Sequence, residues 1–206
     1  ACTSARVTNP LFSIARRRQV EARAARSGHD QFLARRAFAD ILESLAMTSR
    51  RFTRIALVGK ALPEWPKAFA LDGALVTQFN PAPLECGDPD VLAREAALSD
   101  ALGSFNLVVS IGLLDHANDP RLAATILAGM LVPGGHLIGA VVGGDSLPAL
   151  RRAMLDADRA TGQAAQRFHP LMDGQSLAGL LAQVGLDNPV IDVDRVTVGY
   201  RDPSRL

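Results

Sequence analysis

Apolar and polar positions follow two different periods along the chain, and the alternation between these periods predicts an α/β protein. Short apolar runs predict strands at 54–59, 74–79, 105–111 and 136–142. Helical spacing predicts helices at 11–27, 30–48, 64–71, 89–102, 119–131, from Asp145 or Ser146 to about 160, and 174–184. The run at 105–111 is apolar on both faces, as a parallel sheet covered by helices requires. We therefore expect a mostly parallel sheet with helices on both faces.

Polar residues and glycines mark several ends of these elements. Asp119 followed by Pro120 combines a capping residue with a first-turn proline. Asp30 fits the N-cap of the second helix, and Gly185 fits the position just after a helix C-terminus. The closing stretch "VIDVDRVTVGY" (190–200) alternates without an intervening helix, so we expect an antiparallel strand pair at the edge of the sheet.

One short stretch has the layout of a nucleotide-binding turn. The segment "RIALVGKALPEW" (54–65) predicts a strand, a tight turn at Gly59 and a helix. Such a turn normally carries two more glycines, but Ala61 and Pro63 stand at those positions. Ligands of parallel sheets bind at the carboxyl ends of the strands. The residues expected at that rim are Gly59, Gln78, Ser110 and Gly143.

Composition narrows the classes of protein further. The chain has 206 residues and is 48% hydrophobic, which fits a packed domain rather than a disordered chain. Cys2 and Cys86 form no disulfide framework, so we expect a reducing compartment. The four histidines show no metal-ligand spacing, so no metal site is predicted. We expect neither a transmembrane segment nor a secretory signal.

Positive charge is concentrated near the N-terminus. The first 60 residues hold eleven Arg and one Lys against four acidic residues, and the remainder is net acidic. Three hypotheses fit this region: a mitochondrial targeting segment, a surface for phosphate or an acidic protein partner, and a solvated helix face, which we favour for most of the arginines. Nucleic acid is not an expected partner, because aromatic residues do not alternate with the arginines. The expected location is the cytoplasm of a bacterium, with the mitochondrial matrix as the eukaryotic alternative.

The middle of the chain carries motifs of a known family. The segment 105–154 resembles class I S-adenosylmethionine-dependent methyltransferases. More narrowly, it is similar to the branch that holds the biotin-synthesis carboxyl methyltransferases and the methyltransferase-like assembly factors of respiratory complex I. The basic opening "LFSIARRRQVEARAA" and the closing "DVDRVTVGYRDP" extend the similarity over most of the chain, from Leu11 to Leu206. The matching motifs are Phe105–Val108, Leu114 and His116 with Asn118 and Asp119, Pro133–Gly135 and Gly143–Asp145.

The resemblance implies a Rossmann-like fold and S-adenosylmethionine as cofactor, but the cofactor motifs are degenerate. The family's first strand carries an acidic residue where this chain has Leu57. Its second strand ends in an acidic residue for the ribose hydroxyls, where this chain has Gln78, and an amide holds such a hydroxyl less strongly. The segment 80–104 is also short, so the family's third strand is missing or rebuilt there. The cofactor-binding candidates are Gly59, Lys60, Gln78, Asn80, Asp88, Ser110 and Gly112.

The implied activity is methyl transfer to a small-molecule carboxylate or a protein side chain. His116 is the candidate general base, and a partly buried structural histidine is the simpler alternative. The alternative function is a catalytically inactive scaffold or assembly factor that binds a protein partner. We expect a basic helical segment at 1–50 packed on one methyltransferase-like unit at 51–206. Two side hypotheses place Trp65 in the space of a cofactor's tail, and an acidic substrate on Arg151, Arg152 and Arg167, for which a solvated position is the simpler interpretation.

Overall fold

The computed structural model describes residues 11–26, 31–59, 61–70, 73–79, 100–162, 168 and 170–199. Within these residues a sheet of four parallel strands has the order β2-β1-β3-β4. The strands are β1 (Arg54–Gly59), β2 (Leu75–Phe79), β3 (Phe105–Ile111) and β4 (Leu131–Ala140). The helices are α1 (Ile14–Arg26), α2 (Phe32–Ala46), α3 (Trp65–Ala70), α4 (Pro120–Gly129), α5 (Pro148–Thr161) and α6 (Gly174–Gln183). This arrangement confirms the predicted α/β class with a parallel sheet.

Apolar side chains cover both faces of the sheet. Along β1, Ile55 and Leu57 belong to the layer beneath α2 and α3, whereas Ala56 and Val58 belong to the layer beneath α4. The same alternation along β3 gives a strand that is buried on both faces, as its predominantly apolar sequence predicts. Each large side chain buried in these layers contributes about 1.5–3 kcal/mol, so the two layers hold the four strands and the helices together.

Trp65 belongs to the layer beneath α2. Its side chain is buried, and its ring lies nearly parallel to that of Phe38, with the ring centroids 4.3 Å apart. Phe69 meets Phe38 edge-on at 5.7 Å. Trp65 therefore fixes α2 on the sheet and does not line the crevice described below. The hypothesis that Trp65 fills the space of a cofactor's tail is thus replaced by a role in the core.

Helix ends follow the predicted signals in two places and depart from them in a third. The Asp119 carboxylate accepts a hydrogen bond from the N–H of Leu122 at 2.9 Å and caps α4, as predicted. Gly185 follows α6 with a φ of 84°, the conformation expected after a helix C-terminus. The prediction that Asp145 or Ser146 caps α5 is wrong. Leu147 precedes the helix instead, because Pro148 fixes the first helical position and excludes a helical residue before it.

The C-terminal part of the described chain is the largest departure from prediction. Residues 189–199 form no strand, so the predicted antiparallel pair is wrong over this range. The Val190 side chain is 90% exposed, while Asp194 accepts a hydrogen bond from Arg36 at 2.6 Å. The segment 189–199 thus has no neighbouring strand among the described residues despite its alternating pattern, and polar contacts to α2 hold it in place. The predictions for Asp30, for 89–99 and for a third strand in 80–99 lie outside the described residues.

Candidate functional site

The strand order places a topological switch point between β1 and β3. The chain leaves β1 toward β2 on one side, and β3 lies on the other side of β1. A crevice opens at the carboxyl ends of these strands, as is general for open α/β sheets. It continues along β4 toward α5 and has a volume of about 3560 Å³, far more than the roughly 300–1,000 Å³ of one ligand site. The residues lining it at the ends of β1, β2 and β3 are Gly59, Ala61, Gln78, Phe79, Ile111 and Gly112.

Gly59 is required by the packing of β1 against β3. Its φ is +104°, a conformation that side chains with a Cβ rarely adopt. A Cβ at this position would lie 2.5 Å from the carbonyl oxygen of Ile111, its neighbour in the strand register. Gly139 on β4 has the same close approach, because a Cβ there would lie 2.4 Å from the carbonyl oxygen of Ser110. The glycine of the predicted cofactor turn therefore has a structural reason that does not depend on a ligand.

The structure brings together three of the predicted cofactor-binding residues. Gly59, Gln78 and Gly112 line the crevice, and the Gln78 side chain is exposed there. Gly112 has a φ of +62° and no atom within 4 Å of its Cβ position, so the backbone is open to a ligand. Ser110 is buried inside β3 and does not line the crevice. The remaining candidates, Lys60, Asn80 and Asp88, lie outside the described residues.

A buried carboxylate accompanies the candidate base. His116 lies in a short 3-10 helix, Leu114–His116, that follows β3 and places the residue at the crevice. Its Nδ1 is 3.2 Å from Oδ1 of Asp115, an ion-pair contact whose geometry falls short of a well-directed hydrogen bond. The other carboxylate oxygen, Oδ2, accepts a hydrogen bond from the N–H of Val142 at 3.3 Å. The Asp115 side chain is 2% exposed and that of His116 is 39% exposed, so the imidazole covers the carboxylate.

The surroundings keep the Asp115 carboxylate ionised. Burial raises the pKa of this carboxyl, but the His116 imidazole and the Val142 N–H lower it by more, and the net pKa lies below its ordinary value. The buried anion lies beside the half-exposed imidazole, and such a contact restrains the orientation of the ring. The sequence analysis did not select Asp115. Its position directly before the candidate base was the one available signal.

The N-terminal segment covers this side of the crevice. The backbone N–H of Phe12 donates to Oδ1 of Asn118 at 2.8 Å, and Nδ2 of Asn118 donates to the carbonyl of Phe12 at 3.1 Å. The ring of Phe12 lies 6.0 Å from that of His116. The segment before α1 is thus fixed next to the candidate base by two hydrogen bonds and a ring contact.

The residues at the strand ends fit an adenosine-containing cofactor with a weakened ribose contact. The open backbone at Gly112 allows close approach, and the exposed Gln78 amide can donate to or accept from one ribose hydroxyl. A carboxylate in place of the Gln78 amide would accept two such hydrogen bonds, but this chain has no carboxylate at that position. In the described part of the chain, no group of three or more His, Cys, Asp or Glu side chains is placed to hold a metal ion. No helix there is both long and apolar enough to cross a membrane.

Comparison with protein families gives the class of the chain. Residues 56–189 match the family model described as a methyltransferase domain, and this range covers most of the sheet, α3 to α6 and the crevice residues at the ends of β1, β2 and β3. The chain therefore belongs to the methyltransferase domain family. This result confirms the resemblance that the segment 105–154 carries.

Individual relatives point to two kinds of protein. The chain is 31% identical to a malonyl-[acyl-carrier protein] O-methyltransferase of Xylella fastidiosa, over 96% of this chain and 70% of that protein. It is 32% identical to the human mitochondrial protein named arginine-hydroxylase NDUFAF5, over 65% of this chain and 39% of that protein. The chain thus spans only about two fifths of the length of the arginine hydroxylase. Among solved structures, an S-adenosylmethionine-dependent methyltransferase of Thermotoga maritima superposes with a TM-score of 0.44 at 15% identity, over 79% of this chain and 78% of that one.

Proposed function

We propose that the protein is an S-adenosylmethionine-dependent methyltransferase whose cofactor binds at the carboxyl ends of β1, β2 and β3. The observation that carries the proposal is the crevice at the switch point, which is lined by Gln78 at the end of β2 and by the open backbone of Gly112 after β3, both within the matched methyltransferase domain. The acceptor is a carboxylate or a protein side chain. The similarity to a carboxyl O-methyltransferase over nearly the whole chain supports a carboxylate.

The cofactor, when bound, supplies a methyl group on a positively charged sulfur. In this proposal the Gln78 amide holds the ribose, and the backbone at Gly112 leaves room for the nucleoside. Asp115 orients His116, and His116 accepts a proton from an acceptor that is protonated, such as an amine. The Phe12 segment limits water on that side, because its contacts to Asn118 hold it beside His116.

The two classes of acceptor make different demands on His116. A carboxylate is already ionised at neutral pH and needs no base, so the imidazole then only positions it. An amine acceptor must lose a proton, so it needs the base. The rate of His116→Gln relative to wild type therefore distinguishes the acceptors, because only methylation of an amine loses the contribution of the base.

A second candidate function is a scaffold that binds a protein partner without catalysis. One observation favours it: the described residues at the ends of β1 and β2 that line the crevice include no acidic side chain. The partner in this hypothesis is acidic and contacts α1, whose exposed side chains include Arg16, Arg23 and Arg26. Such binding weakens with salt.

The test is a calorimetric titration of S-adenosylhomocysteine into wild type and three variants. Gln78→Glu introduces the carboxylate and should tighten binding about fivefold to tenfold, since a charged hydrogen bond exceeds a neutral one by roughly 1–1.5 kcal/mol. Gln78→Ala should weaken it about twofold to tenfold. Gln183→Glu on α6 makes the same chemical change away from the crevice, on an exposed position, and should leave affinity unchanged. Absence of binding to both wild type and Gln78→Glu contradicts the proposal and favours the scaffold.

A further inference from the structure

A second, smaller groove lies on α5, next to the crevice. It has a volume of about 510 Å³, and its wall contains Arg151, Arg152, Arg159 and Arg195. Gly144, Asp145 and Pro148 line both this groove and the crevice. The groove therefore adjoins the crevice at the loop before α5.

The groove has an excess of positive charge, because its wall holds four arginines against two carboxylates, Asp145 and Asp156. Arg159 is 3.1 Å from Asp156, and Arg195 is 3.4 Å from Asp145, but all four side chains are mostly exposed. Exposed ion pairs of this kind contribute about 0–1 kcal/mol, so the carboxylates of a partner can compete for these arginines. Arg152 is exposed and has no ion pair among the described residues.

One arginine of the groove is held in a fixed position. The Arg151 guanidinium lies 4.9 Å from the centre of the Phe168 ring, and its Nε donates to the carbonyl of Ser146 at 2.9 Å. These contacts leave its two terminal nitrogens as donors in a preset orientation. A preset arginine loses less conformational entropy when it binds a carboxylate than a free one does.

The spacing along α5 favours an extended occupant over a single anion. Arg152, Leu155 and Arg159 recur at helical spacing on one face, and Arg152 and Arg159 lie about 10 Å apart along the axis, beyond the span of one phosphate. Leu155, between them, is 57% exposed. An apolar side chain flanked by arginines offers nothing to a free phosphate, but it matches the composition of a protein–protein contact.

We propose that the α5 groove, defined by Arg151, Arg152, Leu155, Arg159 and Arg195, is the docking surface for an acidic protein segment that delivers the methyl acceptor to the crevice. The role of the segment in delivery rests on the proposed function. The docking itself does not, because it needs neither cofactor nor methyl transfer. The segment carries carboxylates about two helical turns apart and an apolar side chain between them.

The test is fluorescence anisotropy with a labelled helical peptide of about 14 residues that carries glutamates at the two outer positions and a leucine between them. The full chain is used as wild type and as two charge-matched double variants. R152E with R159E changes the groove. R54E with R121E makes the same total change of charge at the start of β1 and on α4, where both arginines are exposed and line neither the groove nor the crevice. A peptide with glutamine in place of glutamate measures the electrostatic contribution.

The groove variant should weaken peptide binding at least about tenfold, and the control variant less than about twofold. Leu155→Ser should weaken it severalfold without a change in charge. Equal losses in the two double variants indicate a general electrostatic effect and overturn the proposal. Complete displacement of the peptide by inorganic phosphate at about 1 mM indicates a simple anion site and also overturns the proposal. Equal binding of the glutamate and glutamine peptides to wild type overturns it as well. Titration of S-adenosylhomocysteine into the same proteins separates the two claims. If this ligand does not bind, the proposed function is contradicted. The docking proposal is then still decided by the peptide measurements alone.

Discussion

Substitution of Gly59 by alanine should destabilise the protein strongly, even though it adds one methyl group. The residue has a φ of +104°, and holding a residue with a Cβ in such a region costs about 1–3 kcal/mol. The added carbon would also lie 2.5 Å from the Ile111 carbonyl oxygen, where contacts of this kind normally exceed about 3.4 Å. Relief requires β1 and β3 to separate at their carboxyl ends, and such overpacking costs about 1–3 kcal/mol more.

The expected loss for Gly59→Ala is therefore about 2–6 kcal/mol, a large share of the roughly 5–15 kcal/mol of a typical domain. Two matched glycine-to-alanine variants separate its components. Gly139→Ala has the close contact, 2.4 Å to the Ser110 carbonyl, without a positive φ, and should lose about 1–3 kcal/mol. Gly179→Ala lies within α6 with no atom within 4 Å of its Cβ position, and should gain about 0.5–1 kcal/mol.

Urea unfolding followed by circular dichroism measures all three variants. The reasoning is refuted if Gly59→Ala loses no more stability than Gly139→Ala, or if it is as stable as wild type. A variant that keeps its stability and loses only affinity for S-adenosylhomocysteine would show that Gly59 serves the ligand rather than the contact between strands.

Three further predictions concern the surroundings of the crevice. The pKa of Asp115 is lowered by folding, so its contribution to stability is present above the unfolded-state pKa of about 3.9 and is lost as pH falls through the folded-state value. The stability difference between wild type and Asp115→Asn should therefore shrink on acidification, and a constant difference contradicts the pKa assignment. Trp65→Ala should cost about 3–5 kcal/mol in urea unfolding, whereas Met47→Ala, at a side chain that is 78% exposed, should change stability by less than about 0.5 kcal/mol; equal effects would refute the core role of Trp65. Asn118→Ala removes both hydrogen bonds to Phe12 and should speed amide hydrogen exchange at Phe12, while unchanged exchange would show that the segment is held by other contacts.

The central strands were predictable because their signals are local. The runs 54–59 and 105–111 are predominantly apolar, and the structure forms β1 and β3 over the same residues. The predicted strand 136–142 matches the paired part of β4 from His136 to Ala140, but β4 begins earlier, at Leu131. Between these two parts the register shifts, and the Pro-Gly-Gly segment occupies the irregularity. A turn signal and a strand therefore coexist there, which a purely local pattern does not anticipate.

The remaining features depend on partners that are distant in sequence. Alternation at 190–199 predicts strands, but a strand needs a neighbour, and this segment contacts Arg36 and Asp145 through side chains instead. Aspartate is a residue type that normally lies at the surface. Asp115 is buried because His116 covers it and because it accepts a hydrogen bond from Val142, which lies 27 positions away in the sequence. Gly59 was recognised as a turn glycine. Its close contact with Ile111 becomes visible only when β1 and β3 are neighbours.

The most direct measurement of the central claim is an amide proton–nitrogen correlation spectrum of labelled protein during titration with S-adenosylhomocysteine. The proposed function predicts saturable shifts that centre on Gly59, Gln78 and Gly112 at the ends of β1, β2 and β3. No shift at about 1 mM ligand, or shifts confined to α5 and the C-terminal segment, would contradict a methyltransferase cofactor site at this crevice.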